Sequence, residues 1–254
     1  MSSPGLVRRA DAAGPSPARS PAQAQAQAEA RAWAWSGRGL LFDLDGTLVD
    51  SLATIVRHTG LWAARVGLVA DHVVAASHGR RDAELIPLLA PWADTAREVH
   101  WMHRLSCDDT DGIVAVPGAA ELLDGLPPGS WAIVTSAARE VAHARLDAAG
   151  LPRPRHLVCS EDVEHGKPDP EGFLRGAGLL GVPPRDCLVL EDSGAGAAAG
   201  RAAGSTVLSV GREQVPGAAH GAVDLSTVRA RRTAHGVAVV VGAPPTTSAP
   251  GTDA

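Results

Sequence analysis

The sequence has little of what would take it outside the ordinary globular enzymes. Its three cysteines, Cys107, Cys159 and Cys187, lie far apart and form no C-x-x-C pair. An odd, scattered set argues against both a disulfide framework and a cysteine zinc site, and suits thiols in a reducing compartment. No apolar run approaches the roughly 18–20 residues that span a bilayer, and the N-terminus lacks the apolar stretch of a secretory signal. A cytoplasmic protein with no membrane partner is the expectation. There is no Lys/Arg block, and 23 basic against 28 acidic residues give a net charge of −5. That balance is a poor match for nucleic acid as a partner. Nothing in the chain signals an oligomeric state.

What is present is 45% hydrophobic and 20% charged residues over 254 positions, enough for one α/β core and a modest insertion. Residues 1–37 are rich in Ala, Pro, Ser and Gln, which offers almost nothing to bury against the entropy of ordering. They are expected to be a dispensable tail, with a weak helix over Ala22–Trp35 and with Trp33 and Trp35 near the folded part. Residues 243–254 are expected to fray.

From Gly39 the texture changes. Short continuous apolar runs occur at Leu40–Phe42, Trp131–Val134, Leu157–Cys159, Cys187–Leu190 and Thr206–Val210, as in strands buried on both faces of a parallel sheet. Helical patterns separate the later runs. Phe173, Leu174, Ala177 and Leu180 form one stripe, and Ala138–Gly150 ends in a glycine suited to a cap. Alternating strand and helix predicts an α/β fold with a doubly wound, Rossmann-like parallel sheet and its site at the strand C-terminal ends. The interval between the first run and Trp131 breaks the alternation. Leu52, Ile55, Val56, Thr59, Trp62, Ala63 and Val66 follow helical spacing, Ala93–Leu105 reads as helix, and Ala83–Leu89 does so despite Pro87. Too long for a loop, this interval predicts an inserted all-helical subdomain over 51–111, between core segments 38–50 and 112–242. Arg229–Arg232 and Val237–Val241 flank Ala234-His235-Gly236 as a closing hairpin.

The sharpest signal is the string Leu40-Leu41-Phe42-Asp43-Leu44-Asp45-Gly46-Thr47. An apolar strand delivers Asp43 at its end, and Asp45 follows two residues later at a turn that Gly46 permits. Two carboxylates so spaced can face one small volume, one attacking while the other moves protons. This string resembles the first motif of the haloacid dehalogenase-like hydrolase superfamily, and the other motifs follow in order. Thr135 and Ser136 end the run Trp131–Val134, where a hydroxyl and backbone N–H groups can hold phosphate oxygens. Lys167 lies in His165-Gly166-Lys167-Pro168-Asp169-Pro170; by resemblance it neutralises the nucleophile and the transferring phosphoryl group. Glu191 and Asp192 follow the run Cys187–Leu190, where carboxylates can supply oxygen ligands to Mg2+. The expected ligand set is Asp43, Asp45, Glu191 and Asp192.

The resemblance covers roughly residues 39–242 and implies that the helical insertion is a cap that closes over the site and selects substrate. His78, Gly79, Arg80 and Arg81 sit at a junction within that cap and are expected to face the substrate. Dehalogenases of the superfamily generally lack the second aspartate, so Asp45 argues for phosphoryl transfer. The whole pattern looks most like the sugar-phosphatase and glycerol-phosphatase branch, whose substrates are small-molecule phosphate esters. A phosphoglycolate phosphatase or a β-phosphoglucomutase-like phosphotransferase shares most of the motifs. Gly194-Ala195-Gly196-Ala197-Ala198-Ala199 also matches the dinucleotide fingerprint. It follows a late strand, however, and two acids precede it that would repel a pyrophosphate. A catalytically silent binding protein is a further alternative, which phosphate release would exclude.

Overall fold

Strands with two apolar faces must be covered on both sides, and β2, β5, β7 and β8 below are buried along almost their whole length. The structure is a computed structural model that describes residues 33–77 and 80–242. The chain begins there with β1 (Trp33–Gly37), β2 (Gly39–Phe42) and β3 (Val49–Asp50). Four helices follow: α1 (Leu52–Val66), α2 (Ala70–Ser77), α3 (Asp82–Leu89) and α4 (Thr95–Asp108). Next come β4 (Val114–Ala115), α5 (Ala119–Asp124), β5 (Trp131–Val134), α6 (Arg139–Ala148) and β6 (Leu157–Val158). The chain continues through α7 (Glu171–Leu180), β7 (Cys187–Glu191), α8 (Gly194–Ala202), β8 (Thr206–Val210) and β9 (His220–Ala222). It ends in β10 (Val228–Thr233) and β11 (Gly236–Val241).

Six strands form a parallel sheet in the order β6-β5-β2-β7-β8-β9. Side-chain alternation along β2 divides the core. Leu40 and Phe42 pack with Leu122, Ala142 and Leu146 of α5 and α6, whereas Leu41 packs with Phe173, Ala177 and Ala197 of α7 and α8. Helices therefore cover both faces, as a doubly wound sheet requires.

The four helices α1–α4 hold a third apolar cluster of their own, built on Trp62, Val73, Leu85, Ile86 and Met102. The two chain crossings that join these helices to the sheet are tied together. β3 and β4 pair antiparallel, and the Thr54 hydroxyl donates to the Asp111 carbonyl at 2.7 Å. The residue that follows α4, Asp109, accepts from Arg57 at 2.8 Å and pairs with His58 at 2.9 Å.

Three elements depart from the expectations. Trp33–Gly37 is a strand, not the end of a helix or a disordered tail: it pairs antiparallel with β11 and makes a three-stranded sheet with β10. Trp33 and Trp35 pack against the main apolar cluster, and Trp33 stacks on His220 with ring centres 5.5 Å apart. Two tryptophans at alternate positions supply the apolar face that the preceding residues lack. The expectations for residues 1–32 and 243–254 lie outside the described residues. α2 and β9 are also unanticipated, each being short and weakly patterned.

Candidate active site

The C-terminal edge of the parallel sheet gathers the charged residues that the motifs pick out. Phe42 pairs with Ile133 of β5 and Leu190 of β7, so Asp43 emerges between Thr135 on one side and Glu191 on the other. The Asp43 amide donates to the Leu190 carbonyl at 2.9 Å, which carries strand register up to the carboxylate itself. Lys167 donates from Nζ to the Asp43 carboxylate and, at 2.6 Å, to Glu191 Oε1. The other Glu191 oxygen accepts from the amide and hydroxyl of Ser193 at 2.8 and 2.9 Å. Asp43, Lys167 and Glu191 are all buried.

Two glycines make room for these acids. A Cβ on Gly46, whose φ is +85°, would lie 2.0 Å from Asp192 Oδ2, and a Cβ on Gly196 would lie 1.5 Å from Glu191 Oε1. The glycine string at the start of α8 thus seats a carboxylate, which accounts for its spacing without a pyrophosphate.

Asp43, Glu191 and Asp192 offer ligand oxygens that all lie within 4.8 Å of one another. With Lys167 as the ammonium among them, full ionisation leaves two negative charges in excess. Burial accordingly pushes the Asp43 carboxyl well above its usual range; Lys167 opposes this, and Glu191 and Asp192 add to it. Asp192 is pushed up to about 7 by burial and by Glu191. Burial alone would lower the Lys167 pKa, but Asp43 and Glu191 outweigh it and raise it. All three donors are hard oxygens and the deficit is two charges, so the site fits a divalent cation of the Mg2+ type.

The Asp45 side chain lies outside this group of three. Its Oδ1 accepts from the Ser51 hydroxyl at 2.6 Å and its Oδ2 from Arg145 Nη1 at 2.6 Å, so both oxygens are already engaged. Thr135 and Ser136 lie where the motif predicts, on the wall beside Asp43. The Thr135 hydroxyl accepts from the Ala137 amide at 3.0 Å and fixes the turn after β5.

A chamber of about 730 Å³ opens above these residues, between the sheet edge and the helices α1–α4. Its far wall carries Ser77, Arg80, Asp82, Met102 and His103. Arg80 is thus where the sequence pattern places it. Arg81 is not: it turns away, pairing with Glu84 and donating to the carbonyls of Val163 at 2.9 Å and Glu164 at 2.7 Å. Its donors are taken up by Glu84 of α3 and by the carbonyls of the loop before Lys167, so it ties that helix to that loop and does not face the chamber. His78 and Gly79 lie outside the described residues. Sequence reasoning missed Asp82, His103 and Arg145. For Arg145 a signal existed, because it shares a helical stripe with Val141, Ala142 and Leu146, all buried.

A family model for haloacid dehalogenase-like hydrolases matches residues 38–204. The chain belongs to the haloacid dehalogenase-like hydrolase family. Among its relatives, hexitol phosphatase A of Escherichia coli K12 is 45% identical over 178 residues, which is 68% of this chain and 82% of that protein. Glycerol-1-phosphate phosphohydrolase 2 of Saccharomyces cerevisiae is 34% identical, over 67% of this chain and 73% of the yeast enzyme. A solved hydrolase from Pseudomonas syringae superposes with a TM-score of 0.63 at 28% identity, covering 74% of this chain and 94% of that one. A β-phosphoglucomutase from Clostridium difficile superposes at 0.66 over 74% of this chain and 92% of that one; at 20% identity this shows a common fold alone. With the family's acidic strand ends and lysine in place and relatives of this kind, the chain is a phosphatase-type enzyme of the family. Among the described residues no helix is long and apolar enough to cross a membrane.

Proposed function

We propose that the protein is a Mg2+-dependent phosphatase of small sugar or polyol phosphates, working through a phosphoryl group carried on Asp43. The observation that carries this reading is the Asp43 carboxylate itself. It is fixed at a strand end, contacted by Lys167, flanked by Glu191 and Asp192, and open to a chamber whose far wall is polar. The names of the relatives, hexitol and glycerol phosphate enzymes, point to the same substrate class.

In the first half-reaction an Asp43 oxygen attacks phosphorus in line, and the bond from phosphorus to the leaving oxygen breaks. Asp45 enters this half-reaction protonated on Oδ1, while Oδ2 still accepts from Arg145, and gives that proton to the leaving oxygen, so the product departs as a neutral alcohol. Water then attacks the aspartyl-phosphate, Asp45 takes the water proton, and inorganic phosphate and free Asp43 are restored. Asp43, Glu191 and Asp192 would hold Mg2+, which supplies positive charge against the phosphate dianion and the attacking carboxylate. Without positive charge the approach is unfavourable, since each like-charge contact at ~4 Å costs about 4 kcal/mol at an effective dielectric of about 20. Lys167 provides part of that charge from the protein, and Thr135 and Ser136 offer donors to the phosphoryl oxygens.

The far wall sets the class of leaving group. Arg80 donates only, the Asp82 carboxylate accepts, and His103 and Ser77 do either, a mixture suited to a row of hydroxyl groups. Phosphate release with Mg2+ should be measured across polyol phosphates, hexose phosphates, phosphoglycolate and nucleotides. Release is expected to be fastest with the polyol or hexose esters. Preference for phosphoglycolate would overturn the substrate class, and no release from any ester would overturn the reading.

A further inference from the structure

Arginine is rarely seated on the buried stripe of a core helix unless it is paired, yet Arg145 is only 7% exposed. It projects from α6, on the sheet side of the chamber, and reaches Asp45 through a single contact, Nη1 to Oδ2 at 2.6 Å. From there its charge acts on Asp82 and His58 across the chamber. The guanidinium therefore stands where core and cap helices meet.

The pair is not arranged for static stability. A structural Arg–carboxylate pair is usually a two-pronged fork. Here Arg145 uses one prong, and its buried Nε has no hydrogen-bond partner among the described residues. Buried donors left unpaired are costly and uncommon, and each calls for a reason. A reason is found in the Asp45 carboxylate, which is gripped from two sides: Ser51, at the start of α1, holds Oδ1, and Arg145 holds Oδ2. Without Arg145 only Ser51 fixes the carboxylate, and its plane is free to turn.

We propose that Arg145 is a positioning residue, which acts through Asp45 by holding its carboxylate in the orientation that delivers a proton to the leaving oxygen. The inference rests on the function proposed above, in which Asp45 performs that transfer. A misplacement of about 1 Å at such a group is worth on the order of 10²-fold in rate.

The test is a cycle of Arg145→Gln, Asp45→Asn and the double variant. For each, kcat/KM is measured on the best polyol or hexose phosphate and on 4-nitrophenyl phosphate. This parameter covers only the steps up to departure of the leaving group, and nitrophenolate departs without a proton. Arg145→Gln should lower kcat/KM by about 10²-fold on the natural class of ester and far less on the aryl ester. The double variant should lose no more than Asp45→Asn alone, as expected for residues acting as one unit. Arg145→Lys should recover part of the loss, because it restores a cation within reach of Oδ2. Equal losses on both esters, or losses that multiply in the double variant, would overturn the proposal, as would undiminished activity. Failure of the underlying reading is distinguishable, because then the wild-type enzyme itself releases no phosphate from either ester. Should Arg145→Gln fold poorly, Arg145→Lys with the same pair of esters decides alone, since a purely structural lysine would scale both rates together.

Discussion

The two ends of the chamber are built on different principles. At the phosphoryl end, Asp43, Thr135, Glu191 and Asp192 leave the ends of three adjacent parallel strands, whose ladder sets their spacing. At the leaving-group end, Ser77, Arg80, Asp82 and His103 come from separate helices and their junctions, and their spacing depends on how those helices pack around Trp62 and Ile86. In the function proposed above, the phosphoryl end handles a group common to every substrate, whereas the other end sees only what varies. That proposal divides the labour between a strand-built half for the chemistry and a helix-built half for selection.

That contrast makes graded predictions. Asp43→Asn should affect all substrates alike, with turnover reduced by about 10⁴-fold or more, as for loss of a catalytic nucleophile. Circular dichroism should be unchanged, because one charge is removed from a crowded acidic cluster. Substantial activity in the purified variant would refute the assignment. Asp45→Asn should cost about 10²–10⁴-fold in kcat/KM on alkyl phosphates, with a smaller loss on an aryl phosphate. Arg80→Ala should cost about ten- to a hundredfold in kcat/KM on the preferred ester, the worth of one charge-assisted hydrogen bond. The aryl phosphate should barely respond, and equal losses on both would move Arg80 to the phosphoryl end.

Two further expectations concern stability. Removing residues 1–32 leaves β1 intact, whereas removing 1–37 strips a strand and two tryptophans from the core. The second truncation should lower Tm by about 5–10 °C relative to the first. The smallest effect is one of pH. Burial holds His58 below the usual imidazole range, against the pull of Asp109. An unfolded chain takes up that proton near pH ~6.5 while the folded one resists. Stability is therefore full above that pH and declines as pH falls toward and through the lower folded value. His58→Gln should flatten this slope in melts between pH 7.5 and 5.

The legibility of the sequence follows the same division. Strand-end residues could be read because a motif, a run of apolar residues and a turn coincide within a few positions, as in Leu40–Thr47. Arg81 was misread because two adjacent arginines at a helix junction look alike in sequence, and only the placement of the 160–166 loop decides which one faces the chamber. The surroundings of the Asp45 carboxylate are hidden for a related reason: its partners Ser51 and Arg145 are set by the start of α1 and the face of α6. β1 is hidden because two tryptophans at alternate positions count for little at the end of a long stretch rich in Ala, Pro, Ser and Gln.

The Arg81 clasp has a consequence for how the protein tolerates change. Across the interface its acceptors are the main-chain carbonyls of Ser160, Val163 and Glu164, and Glu84 in turn accepts from the Gly166 amide at 3.1 Å. Main-chain groups persist whichever side chain is attached. The loop leading to Lys167 can therefore vary in sequence at positions 160, 163 and 164 without loosening its hold on the helices, provided its path is kept. No such freedom exists at Arg81 and Glu84, where the whole connection depends on two side chains. This clasp between the strand-built half and the helix-built half is robust to drift on one side and brittle on the other.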